Sequence, residues 1–365
     1  MWEVSTLVDS ENLSERKKKI LINSVNDYIQ SAVPITSAFI KENYLKDIST
    51  ATLRNELNAL EAMGYFKQLH TSSGRVPTTK AYRYYVNETL KDLNYKENQL
   101  DIVKSEFKSR ANNLSNVIEN IAKTISQATN YPTVVVMNNL QKLLIEEIKI
   151  IPLIDFSALL LIQTNGGIIN NNIEAKNVTS EEDYINAAKI LNEKFKSKSI
   201  AYMIENIEHA ATEMTNLIEE YKEIFDSVIL TLKQVSKSVK QGGVTKLLNC
   251  PEYSSVEKAQ EIFSLIEDES KIKDVVSCDD EGISISIGTE NEEESLKECS
   301  VVKAPIQVDG ETIASIGVIG PKRMDYALIA GAISFVKAEI SKQNLLAGNK
   351  GESDVKKEDW FSSPR

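Results

Sequence analysis

The chain has 365 residues, enough for two or three domains at roughly 100–200 residues each, and its 42% hydrophobic and 26% charged content with only 14 Gly and 8 Pro excludes collagen-like and low-complexity classes. No apolar run exceeds five residues (158–162), against the ~20 of a membrane helix, and residues 1–10 carry Glu3 and Asp9 without an apolar stretch, so a soluble, cytoplasmic protein without signal peptide or membrane partner is expected. The net charge of −11 argues against a nucleic-acid partner over most of the chain, but residues 1–90 hold 11 basic against 10 acidic residues, and between Glu61 and Glu88 only Lys67, Arg75, Lys80 and Arg83 are charged.

In chain order, Asn12 with Glu15 predicts the capping box of a first helix, on which Leu21, Val25 and Tyr28 form an apolar stripe. Pro34 closes it, and Thr36 caps a second helix carrying Phe39, Ile40 and Tyr44. A third begins at Ser49 or Thr50, turns Leu53, Leu57 and Leu60 inward, and stops at Gly64. Residues 65–70 read as a strand, 71–74 as a turn and 75–77 as the return strand, before a closing helix from Thr78 or Thr79 with Tyr82, Tyr84 and Tyr85. Three helices followed by a hairpin are the order of a winged helix-turn-helix.

Residues 98–128 read as one long helix with a near-heptad seam from Leu100 through Phe107 and Ile118 to Ala128, ended by Asn130-Tyr131-Pro132. Strands are predicted at 134–137, 147–153, 158–163 and 168–174, then a helix over 180–195. Met214, Ile218, Tyr221, Phe225, Val228, Leu232, Val235 and Val239 step by four and three, and Gly242-Gly243 breaks that helix. The β signal returns at Ile283, Ile285 and Ile287 and at a hairpin across Asp309-Gly310, before a helix over 325–346. A helical block interrupting one sheet reads as an insertion, and its seam as a subunit interface (Tyr221, Phe225, Val228, Leu232, Val235) or, alternatively, an internal bundle seam.

The third helix is the candidate reader of DNA. At 100° per residue from an inward Leu53, the positions Ala51, Thr52, Arg54, Asn55 and Asn58 fall outside, and Thr, Asn and Arg near a helix N-terminus reach base edges and phosphates. Ser49 and Thr50 stand at its start. Lys67, His70, Arg75, Lys80 and Arg83 crowd around the hairpin as a wing laid along a phosphate backbone would require.

No catalytic constellation is expected. His70 and His209 are the only histidines, so no Ser-His-Asp or Cys-His pairing is easily built. Cys250, Cys278 and Cys299 lack CxxC spacing, and the runs Asp279-Asp280-Glu281 and Glu292-Glu293-Glu294 read as solvated acids, so neither metal nor cofactor is expected. Gly317-Val318-Ile319-Gly320 lacks the Lys-Ser/Thr of a phosphate loop.

Three stretches carry a family resemblance: Ser49-Thr50-Ala51-Thr52-Leu53-Arg54-Asn55-Glu56-Leu57 with Leu60-Glu61-Ala62-Met63-Gly64-Tyr65; His70-Thr71-Ser72-Ser73-Gly74-Arg75-Val76-Pro77-Thr78-Thr79-Lys80-Ala81-Tyr82-Arg83-Tyr84-Tyr85-Val86; and Ile316-Gly317-Val318-Ile319-Gly320-Pro321-Lys322-Arg323-Met324-Asp325-Tyr326. In order and length they resemble the heat-inducible transcription repressors, HrcA, over about residues 13–346. Thr36 and Ala81 stand where that family usually has Gly, and Ser73 where Ala is common. The resemblance implies an α+β multidomain protein: a winged-helix domain, a GAF-like α+β domain, and a helical dimerisation domain inserted into it. On the sequence these fall at 1–90, at 91–205 with 277–346, and at 206–276, before a disordered tail at 347–365. It further implies a homodimer on a CIRCE-type inverted-repeat duplex, repression of chaperone operons, release on heat stress, and dependence on the GroE chaperonin. A winged-helix regulator governed by a small ligand in the GAF-like domain is the alternative.

Overall fold

The computed structural model describes residues 13–68, 74–91, 101, 103–105, 114–137, 142–153, 157–165, 167–174, 180–215, 221–235, 239–278, 282–308 and 311–348. The chain is mixed α/β and divides into two compact units. One comprises Met1–Leu140, Ser236–Ile306 and Thr312–Val336, the other Gln141–Val235, Gln307–Glu311 and Lys337–Arg365.

The first unit opens with α1 (Glu15–Ser31), α2 (Ser37–Asn43), α3 (Thr50–Ala62), the strands β1 (Phe66–Gln68) and β2 (Arg75–Pro77), and α4 (Thr79–Thr89). Each helix starts where a hydroxyl relieves an orphan backbone N–H. Thr36 accepts from Phe39 at 3.2 Å, Ser49 from Thr52 at 3.1 Å and Thr78 from Ala81 at 3.4 Å. For α1 the cap is Ser14, accepting from Lys17, whereas Asn12 lies outside the described residues. Leu21, Val25, Leu53, Leu57, Leu60 and Val86 are fully buried where these helices meet. Gly64 ends α3 at φ +80°, a left-handed conformation that a side chain would strain.

Next come α5 (Leu114–Thr129) and β3 (Thr133–Met137) in the first unit. The second unit then supplies β4 (Ile145–Pro152), β5 (Ser157–Thr164), β6 (Gly167–Glu174), α6 (Glu181–Phe195), α7 (Ile200–Thr215) and α8 (Tyr221–Val235). The chain returns through β7 (Val239–Gly242), α9 (Val256–Glu267), α10 (Glu269–Val276), β8 (Ser284–Ile287), β9 (Cys299–Val308), β10 (Glu311–Pro321) and α11 (Tyr326–Gly348).

A five-stranded sheet in the order β7-β3-β10-β9-β8 forms the centre of the first unit. β3 lies antiparallel to both neighbours, with Val135 opposite Ile316 on one side and Lys240 on the other. Val134, Val135 and Val136 are all buried, as a continuous apolar run on a sheet covered on both faces requires. Ile262, Ile266, Ile272 and Val276 of α9 and α10 share one core with Val134, Val136, Val301 and Ile319.

The second unit is a β4-β5-β6 antiparallel sheet, with α6 packed on β4, α8 on β6 and α7 on α8. Two expectations need correction. The segment that interrupts the five-stranded sheet is Gln141–Val235, not 206–276, because β4–β6 pair only with one another while β7, α9 and α10 belong to the first unit. The seam is also not one helix: Met214 stands on α7 and Val239 in β7, opposite Val136, so Gly242 closes a strand paired with Thr133 and the glycine pair breaks no helix. The expected tail lies almost entirely outside the described residues, as does the Asp309-Gly310 turn.

Candidate nucleic-acid interface

Capping and phase fix what α3 presents. The Ser49 hydroxyl is engaged at the helix start, 3.1 Å from the Thr52 N–H and 2.9 Å from the Thr52 hydroxyl. With Leu53, Leu57 and Leu60 at 0% exposure, the helix turns Thr50, Arg54, Asn55 and Asn58 to solvent, and Thr52 is half-buried. Among the described residues, neither the Arg54 nor the Asn55 side chain has a hydrogen-bond partner, so both are available to a ligand. The back of α3 is held by Glu56, which takes Lys17 at 2.9 Å and Arg16 at 3.4 Å from α1. The Tyr44 hydroxyl donates to Asp27 at 2.6 Å, tying the end of α2 to α1; desolvation and then that hydrogen bond push its pKa up to about 12.

The hairpin docks against this helix. β1 and β2 are antiparallel with Lys67 opposite Val76 and Gln68 opposite Arg75, and Lys67 is exposed. The Arg75 backbone exchanges two 2.8 Å hydrogen bonds with Ile35, next to Gly74. A Cβ at Gly74 would lie 2.8 Å from the carbonyls of Pro34 and Ile35, so only glycine allows this approach. The turn at 69–73, with His70, lies outside the described residues.

Three expected phosphate contacts are otherwise engaged. Arg75 donates through Nε to Glu61 Oε2 at 3.0 Å and through Nη2 to Asn58 Oδ1, and its side chain is 12% exposed. Lys80 donates to the Met63 carbonyl at 2.9 Å and sits 4.6 Å above the Tyr65 ring. Arg83 is a plain correction: at 2% exposure it cannot lie on a DNA backbone. Its guanidinium forms a two-pronged pair with Glu290, at 2.9 Å through Nε, and donates to the Ile285 carbonyl at 2.6 Å. Glu290 in turn accepts the Ile287 N–H at 2.8 Å. Sequence reasoning found the basic residues and missed their acidic partners, because Glu290 lies 207 positions from Arg83 and no local spacing links them.

Three of the five expected dimerisation residues are corrected too. Phe225 and Val228 are 0% exposed and Leu232 is 1% exposed within the single chain, because that face of α8 meets β6 and α7. The alternative of an internal seam accounts for these three, while the side chains of Tyr221 and Val235 lie outside the described residues.

Among the described residues, no three His, Cys, Asp or Glu gather as metal ligands, and no helix is long and apolar enough to cross a membrane. Asp279-Asp280-Glu281 lies outside them. A half-open pocket of about 300 Å³ in the first unit is lined by Lys271, Asp274, Glu290, Glu292, Glu293 and Lys303, among others.

The family model for the HrcA protein C-terminal domain matches residues 115–329. The heat-inducible transcription repressor HrcA of Pelotomaculum thermopropionicum is 30% identical over 337 residues, covering 90% of this chain and 96% of that one. Its counterpart in Thermoanaerobacter sp. (strain X514) is 32% identical over 345 residues, covering 92% and 97%. A crystal structure of a hypothetical protein shares the fold, with a TM-score of 0.74 over 90% of this chain and 98% of that chain at 20% identity. Matched across most of its length to such relatives and across more than half of it to the family model, the chain belongs to the HrcA family of heat-inducible transcription repressors.

Proposed function

We propose that this repressor binds a CIRCE-type inverted-repeat duplex as a homodimer, holds chaperone operons silent, and lets go on heat stress. The family represses transcription and is not a class of enzyme. One observation carries the DNA reading: α3 turns Thr50, Arg54, Asn55 and Asn58 to solvent on a helix held from behind by α1, α2 and the hairpin. That is the arrangement a winged helix-turn-helix uses to place side chains in a major groove. In this reading residues 1–90 are the winged-helix domain, the five-stranded sheet with its helices is GAF-like, and the inserted unit serves dimerisation. Dependence on the GroE chaperonin rests on the family resemblance.

A second reading is supported by the pocket of about 300 Å³. Glu290 lines it and also holds Arg83 of α4, so a small ligand there would act on the group that ties the reading helices to the sheet. A gel shift separates the two. The protein should retard a CIRCE-type duplex and not a scrambled one, and the complex should dissociate on warming with no added metabolite. Binding that requires a small ligand, or no preference for the inverted repeat, would overturn the first reading.

A further inference from the structure

Asn58 and Arg75 both stand among the residues expected at DNA, yet they face each other. A guanidinium has only donors, so the Asn58 oxygen must be the atom that meets Arg75 Nη2, and the amide cannot flip without placing donor against donor. Arg75 is itself fixed, by Glu61 Oε2 at 3.0 Å, by the two backbone bonds to Ile35, and by burial of its side chain to 12% exposure. Asn58 and Glu61 lie three residues apart on α3, so a single arginine from β2 grips one face of the helix at both positions. Asn58 remains exposed.

We infer that Arg75 is a positioning residue, not a phosphate contact, and that it locks the Asn58 amide so that Asn58 meets DNA through its NH₂ group. The atom read is then an acceptor: a purine N7, a guanine O6 or a thymine O4 in the major groove. Glu61 completes the device by holding the arginine in place. An asparagine free on a surface loses rotamer freedom when it binds, and one already held by Arg75 loses less. The inference rests on the DNA-binding reading above and assigns the polarity of one contact within it.

The test uses the full-length protein, a CIRCE-type duplex, variants of that duplex with single base pairs changed, and random DNA. Asn58→Ala should weaken operator binding about tenfold or more and flatten discrimination at one base pair, leaving random DNA nearly unaffected. Glu61→Gln is the sharper variant. Removing a carboxylate beside DNA should tighten binding if charge alone matters, whereas a loosened Arg75 should weaken operator binding and reproduce the discrimination pattern of Asn58→Ala. Arg75→Ala should match Asn58→Ala, the two together should cost no more than one alone, and the slope of log affinity against log salt should stay unchanged. A slope reduced by about one for Arg75→Ala, additive losses, or tighter binding by Glu61→Gln would overturn the inference. If Arg75→Ala does not fold, Glu61→Gln and Asn58→Ala decide it. A wild-type protein that does not distinguish the operator from random DNA would instead defeat the functional reading on which this rests.

Discussion

Burial sets the chemistry of single residues far from α3 as firmly as near it. Cys299 is 1% exposed, accepts a 3.2 Å hydrogen bond from the Tyr253 hydroxyl, and has its thiol pushed up to about 11, chiefly by desolvation. Its pKa is therefore higher in the folded than in the unfolded chain. That favours the fold fully below about pH 9, the ordinary thiol value, and the contribution drains away as pH rises through about 11. Chemical denaturation at a series of pH values should show this alkaline loss diminished in Cys299→Ala relative to its own neutral-pH stability. Native protein at pH 8 should also resist iodoacetamide at Cys299 until denaturant is added, with mass spectrometry as the readout; rapid native labelling would contradict the burial. On the exposed face of α3, Asn55→Ala removes a side chain with no partner among the described residues, so stability should change by less than about 0.5 kcal/mol. Operator affinity should fall by about 1–3 kcal/mol if Asn55 touches a base edge, and random-DNA affinity should hold. Equal losses on both duplexes would make it a backbone contact.

At the scale of elements, α4 depends on a pair that joins it to the turn after β8. Arg83 offers donors to both Glu290 oxygens and to the Ile285 carbonyl, and its side chain is 3% exposed. Removing one partner of such a pair leaves the other desolvated and alone. Arg83→Ala should cost about 3 kcal/mol by denaturant melts, while Arg83→Met with Glu290→Leu should cost less, since shape is kept and no charge is stranded. A near-neutral Arg83→Ala would mean that water replaces the arginine at no cost. What the sequence disclosed follows the same division between local and distant. The Thr36 cap, the starts at Ser49 and Thr78 to within one residue, and the inward leucines of α3 are legible because each is set within one helical turn. The partners of Arg75 and Arg83 lie 14 to 207 positions away and carry no periodic signal. The α8 seam was legible as buried but not as internal, since a stripe of Phe225, Val228 and Leu232 has the same spacing whether it meets β6 or a second subunit. The edge of the insertion was misread because strand periodicity does not say which sheet a strand joins, and β4–β6 pair only among themselves.

At the scale of the whole molecule, the α8 seam is part of the packing of the Gln141–Val235 unit. Charges at Phe225 and Leu232 would be buried without partners inside the Gln141–Val235 unit, at a cost well above 3 kcal/mol, so Phe225→Glu with Leu232→Glu should unfold that unit rather than release folded monomers. Circular dichroism should show the helical loss, and a fully folded double variant would refute the packing. Dimerisation needs a test that leaves the fold intact, and the operator supplies one. An inverted repeat has twofold symmetry, so a dimer presents two reading helices related in the same way. Residues 1–90 are nearly neutral and expose only a few groups on α3, so one reading domain alone should bind weakly. Tethering the second domain makes its binding effectively intramolecular and can strengthen the complex by ~10²–10⁴ without any new contact. Scrambling one half-site of the duplex should therefore lower affinity by that factor, and changing the spacing by half a helical turn should do the same while leaving both half-site sequences intact. Sedimentation of the complex should give two chains per duplex. A single chain per duplex, or affinity indifferent to spacing, would show that each reading domain acts alone.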